Sequence, residues 1–122
     1  MRFTQDSSSG LNVIGAHRAG ELKVNETVYC VPIILSPSTV SPAALTDEVG
    51  ELGASHAQAL LALDPELVLL GTGTRQIVPA RLFRAQFLAK GIGLEVMDTG
   101  AACRTFNLLA ADRRRVVALL WP

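Results

Sequence analysis

The spacing of hydrophobic positions in the first third of the chain is typical of β-strands. Between residues 11 and 35, short apolar runs alternate with polar turns. We predict strands at Leu11–Ala16, Glu21–Val24 and Val28–Leu35, which together form a three-stranded antiparallel meander. Pro32 favours an edge position or a bulge in the third strand, because proline has no backbone N–H to donate to a neighbouring strand.

The second half of the chain, from about residue 66 to 121, alternates between two kinds of hydrophobic spacing. Continuous apolar runs are typical of strands covered on both faces, and the segments between them have helical spacing. A βαβαβ order predicts parallel neighbouring strands joined by right-handed crossovers. The predicted elements are strands at Leu67–Leu70, Gly93–Met97 and Val116–Trp121, and helices at Pro79–Lys90 and Thr99–Ala111.

Length and composition are those of one globular domain spanning residues 1–122. Of the 122 residues, 49% are hydrophobic and 18% are charged, which is typical of a folded chain with a core. The segment from 36 to 53 is a long connection rich in serine, proline and glycine, and a helix is predicted at Ala54–Leu63. The fold class is therefore α/β, with an antiparallel meander at about 11–35 and a parallel βαβαβ unit at about 66–121.

The charges argue against nucleic acid as a partner. Eleven acidic and eleven basic side chains cancel, so the chain lacks the basic footprint of a nucleic-acid-binding protein. The one basic cluster, Arg113–Arg115, falls where a helix is expected to end, and positive charge there complements the helix dipole. No apolar run approaches 18 residues, which predicts no transmembrane segment and a cytoplasmic location.

Metal and cofactor motifs are missing from the sequence. Cys30 and Cys103 are far apart and belong to no Cys/His cluster, so we expect no metal site and reduced thiols. The Gly71-Thr72-Gly73 run lacks the later glycine of a dinucleotide fingerprint, and no GKS or GKT sequence occurs. We therefore expect no cofactor.

The candidate site lies where two predicted parallel strands end. Ligands of open parallel sheets bind outside the carboxyl ends of the strands, and two loops, Gly71–Arg75 and Asp98–Arg104, leave that edge. Backbone N–H groups, hydroxyls, arginines and a helix N-terminus suit a small anion, although the glycines are equally compatible with tight turns alone. The candidate ligand-binding residues are Gly71, Thr72, Gly73, Arg75, Asp98, Thr99, Cys103, Arg104 and Asn107.

Cys103 is the one plausible nucleophile, and it has two interpretations. Its place near a helix N-terminus beside Arg104 could lower its pKa, but no histidine has a motif relation to it, since we expect His17 and His56 to be surface residues. Cysteine is also a common buried residue, and we favour that role. Arg104 could pair with a carboxylate or clamp a ligand, and Asn107 is expected to satisfy backbone groups.

Several motifs in order resemble a known family. They are Leu69–Gly73, Gly91–Thr99, Ala102–Leu109 and Arg113–Leu120. This order is similar to the small domains of unknown function that include the mitochondrial NADH dehydrogenase (complex I) assembly factor 3. The resemblance implies a three-layer β/β/α fold and brings no established catalytic residues. It also implies that Phe106 stands where many bacterial members have tyrosine.

Three hypotheses for function follow. The favoured one is a non-enzymatic binding or assembly module with a protein partner, which the resemblance links to respiratory complex assembly. The first alternative is a small-anion or small-molecule binding protein that uses the Gly71–Arg75 and Asp98–Arg104 edge. The second is a cysteine-dependent enzyme that uses Cys103.

Overall fold

Two β-sheets and three helices make up the computed structural model, which describes residues 10–43 and 48–122. The small sheet is antiparallel in the order β1-β2-β3, and the large sheet has the order β5-β4-β8-β6-β7. The strands are β1 (Ile14–Arg18), β2 (Glu21–Val24), β3 (Thr27–Tyr29), β4 (Ile33–Leu35), β5 (Val40–Pro42), β6 (Leu67–Thr72), β7 (Gly93–Met97) and β8 (Val116–Trp121). The helices are α1 (Ala54–Leu61), α2 (Arg81–Ala89) and α3 (Thr99–Ala111), with a 3-10 turn at Val49–Glu51.

The large sheet is the middle layer, which explains the continuous apolar runs of its central strands. β6 lies between β8 and β7 and is parallel to both, as predicted. Along β8, Val116, Ala118 and Leu120 face α3 and the small sheet, while Val117 and Leu119 face α1 and α2. The small sheet, the large sheet and the α1–α2 layer confirm the predicted three-layer β/β/α fold.

The third predicted strand is wrong in extent. The apolar run from Val28 to Leu35 is divided between two sheets, because β3 ends at Tyr29 and β4 begins at Ile33. Pro32 lies at the crossing, where its missing N–H costs no ladder hydrogen bond. β4 then pairs antiparallel with β8, so the large sheet is mixed rather than wholly parallel.

Two smaller differences concern the connections. The polar segment after β4 contains the three-residue strand β5, which pairs with β4 and was not predicted. Helix α2 begins at Arg81 rather than Pro79, because Ala80 is still extended and forms the N-cap. No helix in residues 10–43 and 48–122 is long and apolar enough to cross a membrane.

Candidate functional site

The candidate site lies at the carboxyl ends of the three parallel strands, where α3 begins. The Asp98 carboxylate accepts a hydrogen bond from the Ala101 N–H at 2.9 Å and so caps the helix. An acidic cap also suits the positive end of the helix dipole. The helix N-terminus is therefore already occupied by a carboxylate of the chain itself.

Thr99 connects all three strand ends. Its hydroxyl accepts a hydrogen bond from the Gly73 N–H at 2.7 Å and donates one to the Trp121 carbonyl at 2.6 Å. Its own N–H donates to the Gly73 carbonyl at 2.8 Å. Because the Thr99 side chain is fully buried, these bonds join the loop after β6, the start of α3 and the end of β8 without competition from water.

Thr72 has a similar role in the first loop. Its hydroxyl donates to the Arg75 carbonyl at 2.6 Å and accepts from the Ile77 N–H at 3.0 Å. Thr72 and Thr99 are the buried polar residues of the described part of the chain. The hydroxyls that the sequence offers to a ligand are thus engaged in holding the loops.

Gly71 lets α3 approach the sheet closely. A Cβ atom at this position would lie 2.8 Å from Leu120 Cδ2, 3.0 Å from Ala102 Cβ and 3.1 Å from Thr99 Oγ1. All of these distances are shorter than ordinary van der Waals contact. The glycine therefore serves the packing of β6 against β8 and α3.

Cys103 is buried on the face of α3 that packs in the core. Burial raises the pKa of its thiol to about 11, and the smaller effect of the Arg104 charge acts in the opposite direction. At neutral pH only about one thiol in 10⁴ would be ionised, which leaves very little thiolate for nucleophilic attack. These properties support the buried role.

Asn107 joins α3 to the small sheet. Its amide nitrogen donates to the Ile14 carbonyl at 2.9 Å, and its amide oxygen accepts from the Ile14 N–H at 3.0 Å. The side chain thus pairs with β1 as a neighbouring strand would.

Arg75 and Arg104 are the candidate residues whose charged groups remain exposed. Neither guanidinium has a hydrogen bond or an ion pair among residues 10–43 and 48–122. Among the described groups at this edge, these two cations are therefore the ones without a partner in the chain.

His17 was predicted to be a surface residue in a turn, and the turn is wrong, because His17 lies in strand β1 and is half-buried. It belongs to β1 opposite the fully buried Leu22, and its Nδ1 would lie 3.8 Å from a Cβ at Gly100. Its Nε2 is buried and has no hydrogen-bond partner in the part of the chain that the structure describes. A two-residue hairpin turn at Ala19–Gly20, in place of the predicted four-residue turn, would have extended β1 to Arg18 and placed His17 in the strand. His17, Asp98 and Arg104 then surround Gly100.

Four cavities bounded by described residues lie elsewhere. None of these four is lined by the Gly71–Arg75 or Asp98–Arg104 loops. In the same described residues, no three His, Cys, Asp or Glu side chains converge in a way that could hold a metal ion. The carboxyl edge of the large sheet is thus a surface held by internal hydrogen bonds, and it is none of these four concave sites.

The family described as "Protein of unknown function (DUF498/DUF598)" matches residues 14–121. The chain belongs to this family. A DUF498/DUF598 assignment confirms the resemblance drawn from the ordered motifs, and it places all three layers of the fold inside the matched region.

Two relatives of this DUF498/DUF598 chain carry different names. The "13 kDa major membrane protein" of Francisella tularensis is 31% identical over 102 residues, which cover 83% of each chain. An "NADH dehydrogenase [ubiquinone] 1 alpha subcomplex assembly factor 3" of Danio rerio is 29% identical over 123 residues, which cover 97% of this chain and 68% of that protein.

Solved structures share the fold. A crystal structure of a Bordetella parapertussis protein has a TM-score of 0.85 and 36% identity, covering 93% of this chain and 97% of that one. A Bordetella pertussis protein described as an Mth938-like domain has a TM-score of 0.80 and 31% identity, covering 100% and 92%.

We expect Cys103 to react slowly with alkylating reagents in the folded protein, because its thiol is buried and protonated. Cys30 is exposed and free, so it provides an internal standard. In a mass-spectrometric time course with iodoacetamide at pH 7.5, Cys103 should react at least about 100-fold more slowly than Cys30. Cys103→Ala should lower the free energy of unfolding by about 1–2 kcal/mol through lost packing.

The Cys30→Ser variant isolates the Cys103 rate, and urea-unfolded protein sets the rate of an accessible thiol. Equal rates at the two cysteines in the folded state would contradict the buried role, and a Cys103 rate well above that of Cys30, with a thiol titration well below the usual pKa of ~8.5, would support a nucleophile.

Proposed function

We propose that this chain is a non-enzymatic binding module that contributes to the assembly of a respiratory NADH dehydrogenase. The observation that carries the proposal is the match of 97% of this chain to a protein named as an assembly factor of that enzyme. The protein partner is then a subunit of the enzyme, met during assembly in the cytoplasm or at the membrane facing it.

The docking surface in this proposal is the carboxyl edge of the large sheet. Arg75 is exposed in the loop after β6, and the next exposed apolar side chains are Val78 at 63% and Leu82 at 61%. Arginine beside apolar side chains is the composition that protein interfaces favour. The bonds of Thr72 and Thr99 hold this surface in one shape, which lowers the entropy lost on docking.

The same contacts favour docking over the small-anion alternative. An anion at the start of α3 would meet the Asp98 carboxylate, and the Gly73 N–H is already donated to Thr99. The cysteine-dependent enzyme is also disfavoured, because the Cys103 thiol is buried and its pKa is raised.

We expect aspartate at Val78 and Leu82 together to abolish assembly activity while leaving the fold intact, because both side chains are exposed. In cells that lack the gene for this protein, the amount of assembled NADH dehydrogenase on native gels should be several-fold lower than in unmodified cells. The wild-type chain should restore it, and the Val78→Asp/Leu82→Asp variant should not.

Leu88→Asp is the matched control, since Leu88 is 82% exposed near the other end of the same helix. This variant should restore the enzyme fully, and thermal melts should show that all variants are folded. Normal amounts of the enzyme in the deleted cells would overturn the assembly function. Full restoration by the double variant would instead overturn the assigned surface.

A further inference from the structure

A cavity of about 400 Å³ lies at the opposite edge of the large sheet, where β6 and β8 begin. Its walls come from three connections that are far apart in the sequence: the β4–β5 hairpin at 36–38, Leu63 and Asp64 after α1, and Arg113–Arg115 after α3. The rest of the lining comes from Leu11, from Ala110 near the end of α3, and from Val116 and Val117 at the start of β8. The volume is within the range of small-molecule sites, about 300–1,000 Å³.

The three arginines at this cavity are not equivalent. Arg114 pairs with Glu66 at 3.2 Å, and Arg115 donates to the Asp64 carbonyl at 3.1 Å and lies 3.9 Å from its carboxylate. The Arg113 guanidinium has no hydrogen bond or ion pair within residues 10–43 and 48–122. Among the described residues, Arg113 is therefore the arginine of this cavity whose charge has no partner.

The backbone of Arg113 is also unusual. Its φ is +61°, in the left-handed region, and it ends α3 with hydrogen bonds from Arg113 N–H to Ala110 and from Arg114 N–H to Leu109. Helix α2 ends in the same motif, but there the left-handed residue is Gly91, at φ +69°. Glycine takes this conformation without the steric cost that arginine meets.

Apolar side chains supply a large part of the cavity surface, beside the polar Ser36, Ser38 and Asp64. Leu63 is 43% exposed although it is a large hydrophobic residue, and Leu11 and Pro37 lie on the same lining. A ligand that covers these groups gains from removing them from water. An inorganic anion could pair with Arg113 but would leave this apolar surface uncovered.

We propose that this cavity binds a small organic acid with one carboxylate and an apolar body, such as a medium-chain fatty acid. The Arg113 guanidinium holds the carboxylate through charge-assisted hydrogen bonds. Leu11, Pro37 and Leu63 contact the hydrocarbon part. The site is separate from the docking surface, which lies at the other edge of the same sheet.

The test is a titration of the full chain with octanoate, followed by ¹⁵N amide chemical shifts and calorimetry. We expect saturable shifts confined to residues 11, 36–38, 63–64 and 113–117. Octanol, which lacks the charge, and acetate, which lacks the apolar body, should each bind at least about 10-fold more weakly. No saturable shifts, or shifts spread over the whole surface, would overturn the proposal.

Variants at Arg113 separate its charge from its backbone conformation. Arg113→Gln should weaken octanoate binding by about 10-fold or more, whereas Arg84→Gln, at an exposed arginine on α2, should leave it unchanged. Arg113→Gly should weaken binding equally and raise the melting temperature by on the order of 4 °C. Unchanged octanoate affinity in Arg113→Gln, or a lower melting temperature in Arg113→Gly, would contradict the role assigned to Arg113.

Discussion

Thr99→Val is expected to lower the free energy of unfolding by about 2–4 kcal/mol. Valine has nearly the shape of threonine, so the packing around this fully buried side chain is kept. The change removes an acceptor for the Gly73 N–H and a donor to the Trp121 carbonyl. The buried Gly73 N–H left without a partner costs about 1–3 kcal/mol, and the partly buried Trp121 carbonyl adds about 1 kcal/mol. Urea unfolding followed by circular dichroism measures the sum.

Thr105→Val is the matched control on the same helix. The Thr105 hydroxyl donates to the Ala101 carbonyl at 2.9 Å, one turn back along α3. A bond of this kind only supplements the helical ladder, so its loss should change stability by less than about 0.5 kcal/mol. A Thr99→Val protein as stable as the control would show that the buried bonds contribute nothing to holding the loops.

Gly71→Val should destabilise the protein by about 3 kcal/mol or more, because the added atoms meet side chains of two other elements. The first added carbon alone would lie 2.8 Å from Leu120 Cδ2 and 3.0 Å from Ala102 Cβ. Leu120 could move only by disturbing a fully buried core, and the Ala102 Cβ is fixed to the helix backbone. Thermal unfolding measures the change.

The control is Gly50→Ala, since a Cβ at Gly50 would meet nothing within 4 Å. This substitution should leave the melting temperature nearly unchanged. Leu120→Val removes the closest atom, Leu120 Cδ2. The double variant Gly71→Ala/Leu120→Val should therefore recover part of the stability that Gly71→Ala alone loses. Strictly additive effects of the two changes would contradict the proposed close contact.

The second half of the chain could be predicted closely because its signals are local. Continuous apolar runs mark β6 and β8, and an acidic residue before Thr99 marks the start of α3, so strand and helix bounds agree within two residues. In the first half, the apolar run from Val28 to Leu35 has one spacing throughout. Nothing in that spacing distinguishes one long strand from two short strands in different sheets. The two cases differ only in which strands pair with the run: here β3 pairs with β2, and β4 pairs with β8.

The candidate site shows a similar division. The sequence places Thr99 at the right edge, but its two partners, Gly73 and Trp121, lie at the ends of other strands, and Trp121 is 22 residues away. His17 comes to Gly100 only through the register of the small hairpin. The cavity beside Arg113 is built from connections spread over most of the chain, so no local motif could have indicated it.

The pair of hydrogen bonds between Asn107 and Ile14 spans 93 residues of sequence. Closing so long a loop carries a larger entropic cost than pairing β6 with β7 or β8, whose contacts are closer in the chain. The second half of the protein is therefore expected to fold first and to present α3 as a finished surface. The small sheet docks on that surface afterwards. The Asn107 amide then holds β1, which is added late, to α3, which forms early.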